Sequence, residues 1–502
     1  MNRNKKLKLN TITSLALEVI TIISGMILPR YILKQYGSET NGLVNSITQF
    51  LSVISFLELG IGAVVQSSLY KPLTEKDNDS ISKIVVSAQK FFNRLALILA
   101  CYIALLILIY PVINNSNFDF WYIALLIIAI GINLLGQYYF GIVNNLVLYA
   151  DQFGFIHYSI QTLSIIANTV ICVILIKNNF SIQVVKFAST LIYLIRPIIL
   201  KIYVDKHYNI NRKIKYTKEP IKQKWNGIAQ HIAAVILNQT DAIVLTIFST
   251  LSNVSIYSVY FIVINGVKTL IMSLTNGIQA IYGEYFAKND RKNLNSFFEI
   301  SEWLIHNGTV FLYGCTGLLI VPFVEVYTNG VTDVNYIQPL FAVLITLAHA
   351  CHCLRLPYNM MILAAGHYRQ TQHNYIIAAI LNIVISIITV NMFGLVGVAI
   401  GTLVAMLYQT IWMAYYNSNN LLERPISVFF KQLSVDIICV GFMFVVRFVF
   451  SSMFTLGNVN YFSWALLGVK TVIIVLLIMV LINCIFYKEK FEWIKGYMLN
   501  KK

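Results

Sequence analysis

Apolar stretches of about twenty residues or more recur along the whole chain, each long enough to cross a hydrocarbon core of roughly 30 Å. Inside lipid every backbone N–H and C=O must be bonded within the protein, which leaves helices or a closed barrel. The runs are long and strict period-two alternation is missing, so the sequence reads as an all-α integral membrane protein. Composition agrees. Of 502 residues 58% are hydrophobic and 12% charged, about half the charged fraction of a soluble domain.

Spans are expected at roughly 11–33, 41–70, 88–113, 120–148, 155–177, 181–204, 224–249, 253–286, 295–322, 335–364, 369–391, 394–418, 427–453 and 461–487, about fourteen in all. The net charge of +16 could suggest nucleic acid, but its distribution opposes that reading. Alternate connections hold 28 of the 37 Lys and Arg residues, and the opposite connections hold four, Arg30, Lys34, Lys177 and Lys186. That asymmetry is the positive-inside rule at work, and it puts both termini in the cytoplasm of a bacterial cell membrane. The partners expected of the basic loops are membrane lipids, not nucleic acid. The basic start, Met1 to Asn10, reads as the inner end of an uncleaved first helix, because no small-x-small cleavage site follows. All seven cysteines fall inside apolar segments without a CxxC spacing, so neither a disulfide framework nor a zinc site is expected.

The largest basic loop, 201–224, divides the chain in two. The expected layout is an N-lobe at 1–206, an inter-lobe loop at 207–223, a C-lobe at 224–420, and an extra helix pair with a basic tail at 421–502. Residues 33–63 resemble 248–278 at a constant offset of 215, with Gly62 over Gly277, the internal repeat that a duplicated transporter carries.

Four stretches carry a family resemblance. Leu28-Pro29-Arg30 leads through Tyr36-Gly37 and Gly42-Leu43 to Glu58-Leu59-Gly60-Ile61-Gly62. Asn238-Gln239-Thr240-Asp241 leads to Ser255-Ile256-Tyr257-Ser258-Val259-Tyr260. Leu356-Pro357-Tyr358-Asn359 leads to Ala364-Ala365-Gly366-His367, Gln372 and Asn382. The last is Phe393-Gly394-Leu395-Val396-Gly397-Val398-Ala399-Ile400-Gly401-Thr402. In order and spacing the chain resembles the polysaccharide transporters, the oligosaccharide flippases of the multidrug/oligosaccharidyl-lipid/polysaccharide (MOP) exporter superfamily. The resemblance implies a V-shaped, MATE-like arrangement of two six-helix lobes plus the extra pair, working by alternating access. It also implies a cargo of undecaprenyl-pyrophosphate-linked oligosaccharide for capsule, O-antigen or exopolysaccharide, with a polysaccharide polymerase and chain-length or assembly proteins as partners.

A pyrophosphate asks for cations, and sugars ask for amides, hydroxyls and aromatic faces. A charge at mid-bilayer costs about 2.5–3.5 kcal/mol on insertion scales, so each one needs a partner or a wet cavity. In span eight Tyr257, Tyr260, Ile264, Lys268, Thr275 and Gln279 follow helical spacing as a polar-aromatic stripe, and in span seven Asn238 and Asp241 lie one turn apart. These are expected to face one cavity with Asp241 near Lys268; the alternative is a helix–helix ion pair that never meets cargo. In span ten His352, Arg355 and Asn359 share a face, with Arg355 the leading phosphate contact or else a structural bond to a broken helix or to a neighbouring lobe. Glu58 binds a coupling ion, a proton or Na⁺, or pairs with a lobe cation; Asp241 is the second coupling candidate. Arg30 guides the headgroup or snorkels to the interface. Asn45 completes the candidate cavity set. Arg447 and Lys470, in the extra pair, are expected to snorkel or pack, and Glu302 and Asp436 to be structural.

Other patterns carry less. His349, Cys351, His352 and Cys353 look like metal ligands, but on a helix they point apart, so no metal is expected. Asp77-Asn78-Asp79 reads as a solvated loop, and Gly397 with Gly401 as a helix-packing face. No GxxxxGK loop occurs, so the chain is not its own ATPase and no cofactor is expected. The rivals are a peptidoglycan-precursor flippase, a MATE-like exporter, and a membrane polymerase or glycosyltransferase. The short outer loops argue against the enzyme.

Overall fold

The computed structural model describes residues 3–58, 61–113, 118–221, 228–275 and 277–488. Leu59, Gly60, the end of the basic inter-lobe loop and the basic tail lie outside them. Every regular element among the described residues is helical: short 3-10 turns at Val53–Glu58 and Ser451–Phe454, a π-helical turn at Gln137–Gly141, and the α-helices. They are α1 (Arg3–Ser52), α2 (Ile61–Glu75), α3 (Asn78–Ile113), α4 (Phe120–Gly136), α5 (Ile142–Ala150), α6 (Gly154–Lys177), α7 (Ile182–His207), α8 (Ile228–Phe248), α9 (Leu251–Leu274), α10 (Ile278–Ala287), α11 (Arg291–Tyr327), α12 (Pro339–Leu354), α13 (Leu356–Ala364), α14 (Tyr368–Phe393), α15 (Leu395–Asn420), α16 (Ser427–Val449) and α17 (Tyr461–Phe486). Twelve segments among the described residues are long and apolar enough to cross a membrane. The two remaining expected spans, two and seven, are accounted for differently. The segment Lys5–Ser55 holds span one and the start of span two, and α8 contributes only the shorter stretch Gln239–Phe248. The protein is therefore a multi-pass, all-α membrane protein. Phe448 is 85% and Val112 84% exposed, as lipid-facing side chains are.

By contacts the chain divides into two units, Met1–Ser255 and Ile256–Lys502. α8 belongs to the first unit and packs on α1: Ser46 and Thr246 share a hydroxyl–hydroxyl bond of 2.6 Å, and Asn41 donates to Ser255 at 2.7 Å. Gly42 lies against Leu251 so closely that an added Cβ would collide with its carbonyl oxygen.

In the first unit α1 turns back at Gly37, whose φ of 81° suits only glycine. Asn10 accepts from the Phe155 amide at 2.6 Å, and Tyr36 donates to the Phe180 carbonyl at 2.5 Å. The first arm of α1 therefore runs parallel to α6. Tyr110 donates to Ser46 and Tyr102 to the Phe50 carbonyl, so the second arm runs antiparallel to α3. The expected inner loops meet at one end: Lys6 reaches Asp151 at 3.4 Å, Tyr208 donates to Asp151 at 2.7 Å, and the Asn211 amide donates to Ser82 at 2.9 Å. Asp77 belongs to this end as the cap of α3, accepting from the amides of Asp79 and Ser80 at 3.1 and 3.0 Å. The bonds from Ser80 hold its carboxyl below the usual range.

In the second unit α14 and α15 pack with their backbones nearly touching. A Cβ on Gly397 would strike the Thr389 carbonyl, and one on Gly401 the Ser386 side chain, so both glycines serve packing. The extra pair, α16 and α17, is fixed to α11. Pro322 lies inside α11 and lacks the N–H that would bond the Leu318 carbonyl. Arg447 supplies the missing donor at 2.7 Å, and Trp464 donates to the next carbonyl, Leu319, at 3.4 Å.

Candidate functional site

Arg355 stands where α12 gives way to α13, two residues before Pro357. Proline cannot bond the carbonyl one turn back and disfavours regular helix in the residue preceding it. The Arg355 side chain is 8% exposed. Its Nη2 donates to His352 Nδ1 at 2.8 Å, which makes that imidazole nitrogen an acceptor. Its Nε and Nη1 are buried and have no hydrogen-bond partner among the described residues. A guanidinium is always charged and carries five donors, so most of its bonding capacity here is unmet.

The neighbourhood is cationic and polar. Lys268, on α9, is 9% exposed and lies within Coulombic reach of Arg355, His349 and His352. His349 bonds the Ile345 carbonyl through Nδ1 at 3.0 Å and meets Phe261 edge-on at 5.7 Å. From α14, Tyr375 donates its hydroxyl to Asn359 and lies within Coulombic reach of Arg355. Three elements, α9, the α12–α13 break and α14, thus bring Lys268, His352, Arg355 and Asn359 together. Desolvated donors of this kind hold an anion such as a phosphate.

The other expected residues are distributed as follows. Tyr260 is fully buried and committed to the fold, donating to the Tyr336 carbonyl at 2.9 Å and accepting from the Gln338 amide at 3.0 Å. Tyr257 stacks on Phe261 at 5.4 Å. Gln279 does not extend the stripe: α9 ends at Leu274, Gly277 takes a φ of 95°, and Gln279 is an exposed residue of a new helix, α10. In the first unit Arg30 is half-buried towards the end of the first arm of α1, and Asn45 donates to the Asn41 carbonyl at 2.8 Å. Glu58 accepts from Tyr138 at 2.6 Å; among the described residues it forms no ion pair. Asp241 is buried on α8; the side chain of Asn238, on the same helix, lies outside the described residues. Lys268 belongs to the second unit and Asp241 to the first.

A second polar constellation was not assembled from sequence. Arg424 grips Glu302 through two bonds of 2.7 and 2.5 Å, Tyr358 donates to the same carboxylate, and His306 bonds Asp436 at 2.6 Å. In the first unit Arg196, beside Pro197 in α7, is buried within Coulombic reach of Tyr149, Tyr193 and His157. A signal for it was present, since Arg355 also stands close to a proline within an apolar span.

No protein-family model matches the chain, and no curated protein matches it in sequence. Solved structures do match. The lipid II flippase MurJ, in an inward closed conformation, superposes with a TM-score of 0.70 at 16% identity, covering 96% of this chain and 100% of its own. The chain has the MOP exporter fold. An inward-facing multidrug resistance MATE family transporter of that superfamily gives 0.61 at 14% identity, covering 81% of this chain and 98% of its own. A Vibrio cholerae MATE transporter gives 0.59 at 10% identity, covering 84% and 98%.

Proposed function

We propose that the chain is a flippase that moves undecaprenyl-pyrophosphate-linked oligosaccharide from the cytoplasmic to the outer leaflet by alternating access, for a surface polysaccharide of a bacterium. The observation that carries the reading is Arg355, a desolvated guanidinium with two unpartnered nitrogens among the described residues, in an exporter fold. A pyrophosphate oxyanion meets that need, while Asn359, Tyr375 and His352 offer the neutral bonds that sugars use. The lipid tail stays in the bilayer and only the headgroup needs a polar path. In this reading Lys268 also faces the cargo, and Glu58 or Asp241 takes a coupling proton or Na⁺. Both termini lie in the cytoplasm, where the basic loops meet anionic lipid.

A peptidoglycan-precursor flippase is the second reading, favoured by the match to the lipid II flippase over 96% of this chain. The MATE structures cover 81% and 84%; the difference is about the size of the segment 421–502, which argues against a drug exporter.

Deleting the gene in its native host and labelling outward-facing sugar with an impermeant reagent tests the proposal. Complete oligosaccharide units should accumulate on the cytoplasmic leaflet, and the wild-type chain should restore their translocation. Accumulation of the peptidoglycan precursor instead selects the second reading. Complete units that reach the outer leaflet unpolymerised would mean an enzyme and sink the transport claim.

A further inference from the structure

The second polar constellation has an odd charge. Glu302 is 2% exposed and is cancelled by the two-pronged grip of Arg424. Asp436, 6% exposed, has His306 as its basic partner, at 2.6 Å, plus a 3.4 Å bond from the amide of Gln432 four residues earlier. His306 is 0% exposed. The other titratable groups around the pair are Tyr358 of α13, whose ring meets that of His306 edge-on at 6.4 Å, and Cys439 of α16. Tyr282 of α10, the exposed Glu299 of α11, and Tyr487 beyond α17 complete the surroundings. The tyrosines and the thiol are neutral near neutral pH, and an exposed Glu299 is screened by solvent. The buried balance is therefore −1 when the His306–Asp436 pair holds no extra proton and zero when it holds one.

Burying a net charge is costly and burying a closed pair much less so. The fold thus favours one proton on the pair. A second feature keeps that proton from being permanent. Nε2 of His306 is buried with no partner among the described residues, so an imidazolium leaves one N–H unsatisfied, at a cost of about 1–3 kcal/mol. The pair is balanced between these two terms, and it spans two elements, α11 and α16.

We propose that His306 and Asp436 form a proton-binding site that joins the extra helix pair to α11. With the proton bound the joint is a neutral, charge-assisted pair. Without it α16 presents a carboxylate to a neutral ring and grips α11 more weakly. The proton is shared by the pair as a unit.

The test uses the full-length protein in lipid nanodiscs without cargo, so it stands apart from the transport reading. Infrared difference spectra are taken across about pH 5 to 8, together with melting temperature at each pH. In the wild type a single protonation step should change carboxyl and imidazole bands together, and the melting temperature should fall as pH rises through it. His306→Gln should abolish the step and flatten the melting profile. Asp436→Asn keeps a neutral hydrogen bond to the ring, so it serves if the first variant does not fold; its imidazole should titrate with a shifted midpoint and without a carboxyl band. A wild-type step that persists unchanged in Asp436→Asn, or a flat wild-type melting profile, would overturn the proposal.

Discussion

Two charged regions lie within the second unit, on consecutive helices, and they solve the problem of buried charge in opposite ways. Around Glu302 and Asp436 each buried acid faces a basic side chain, Arg424 for one and the imidazole of His306 for the other. Around Arg355 the guanidinium finds one imidazole nitrogen, and two of its own nitrogens stay unanswered among the described residues. Paired acids and bases make a joint between helices. The unanswered nitrogens of Arg355 are what the proposed cargo site rests on.

Mutation can break that contrast. The largest effect is expected at Arg355. Arg355→Ala should abolish export in the impermeant-label assay without preventing membrane insertion, and Lys268→Ala likewise. Because it removes an unanswered buried charge, the Arg355 variant should melt no lower than the wild type. Full export in both variants would remove the site assignment. At Glu302 the pattern should reverse. Glu302→Ala leaves Arg424 without its acid and should cost about 3–5 kcal/mol of stability, seen as a large drop in melting temperature. Arg447→Leu should cost about 1–3 kcal/mol through the Leu318 carbonyl it leaves unbonded, measurable by the same melting experiment, with export retained by the protein that folds. The smallest effect is at Asp77, outside the membrane. Its carboxyl is held below the usual range, so its stabilisation of the first turn of α3 is present above the ordinary carboxylate pKa. It is lost as pH falls through the lowered value. Amide exchange at Asp79 and Ser80, corrected for intrinsic rate, should speed up there, and Asp77→Asn should remove that pH dependence.

The spans were legible because apolar length is a local property: α3 to α7 and α9 to α17 fall within a few residues of where apolar runs begin and end, apart from the amphipathic start of α3. The breaks were harder. Helical spacing carried Gln279 along the stripe of α9, but Gly277 adopts a left-handed conformation and starts a new helix. Tyr260 looked like a cavity aromatic because nothing in its own segment reveals that the Tyr336 carbonyl waits for its hydroxyl, 76 residues away. Glu302 and Arg424 are 122 residues apart, and no spacing rule joins them. Arg355 was visible for a different reason: a charge in an apolar run is conspicuous wherever its partners are, and most so when it has few.

The bond from Arg447 to the Leu318 carbonyl also bears on the order in which the chain is made. The two residues are separated by 129 positions, so α11 enters the bilayer with an open carbonyl at its proline and keeps it until α16 follows. A ribosome that stalls or a gene that stops after α15 leaves a nascent protein whose ninth span still lacks a donor. For this chain the last two helices are thus the step that finishes an earlier one, and a quality-control protease would find its substrate among the products that lack them.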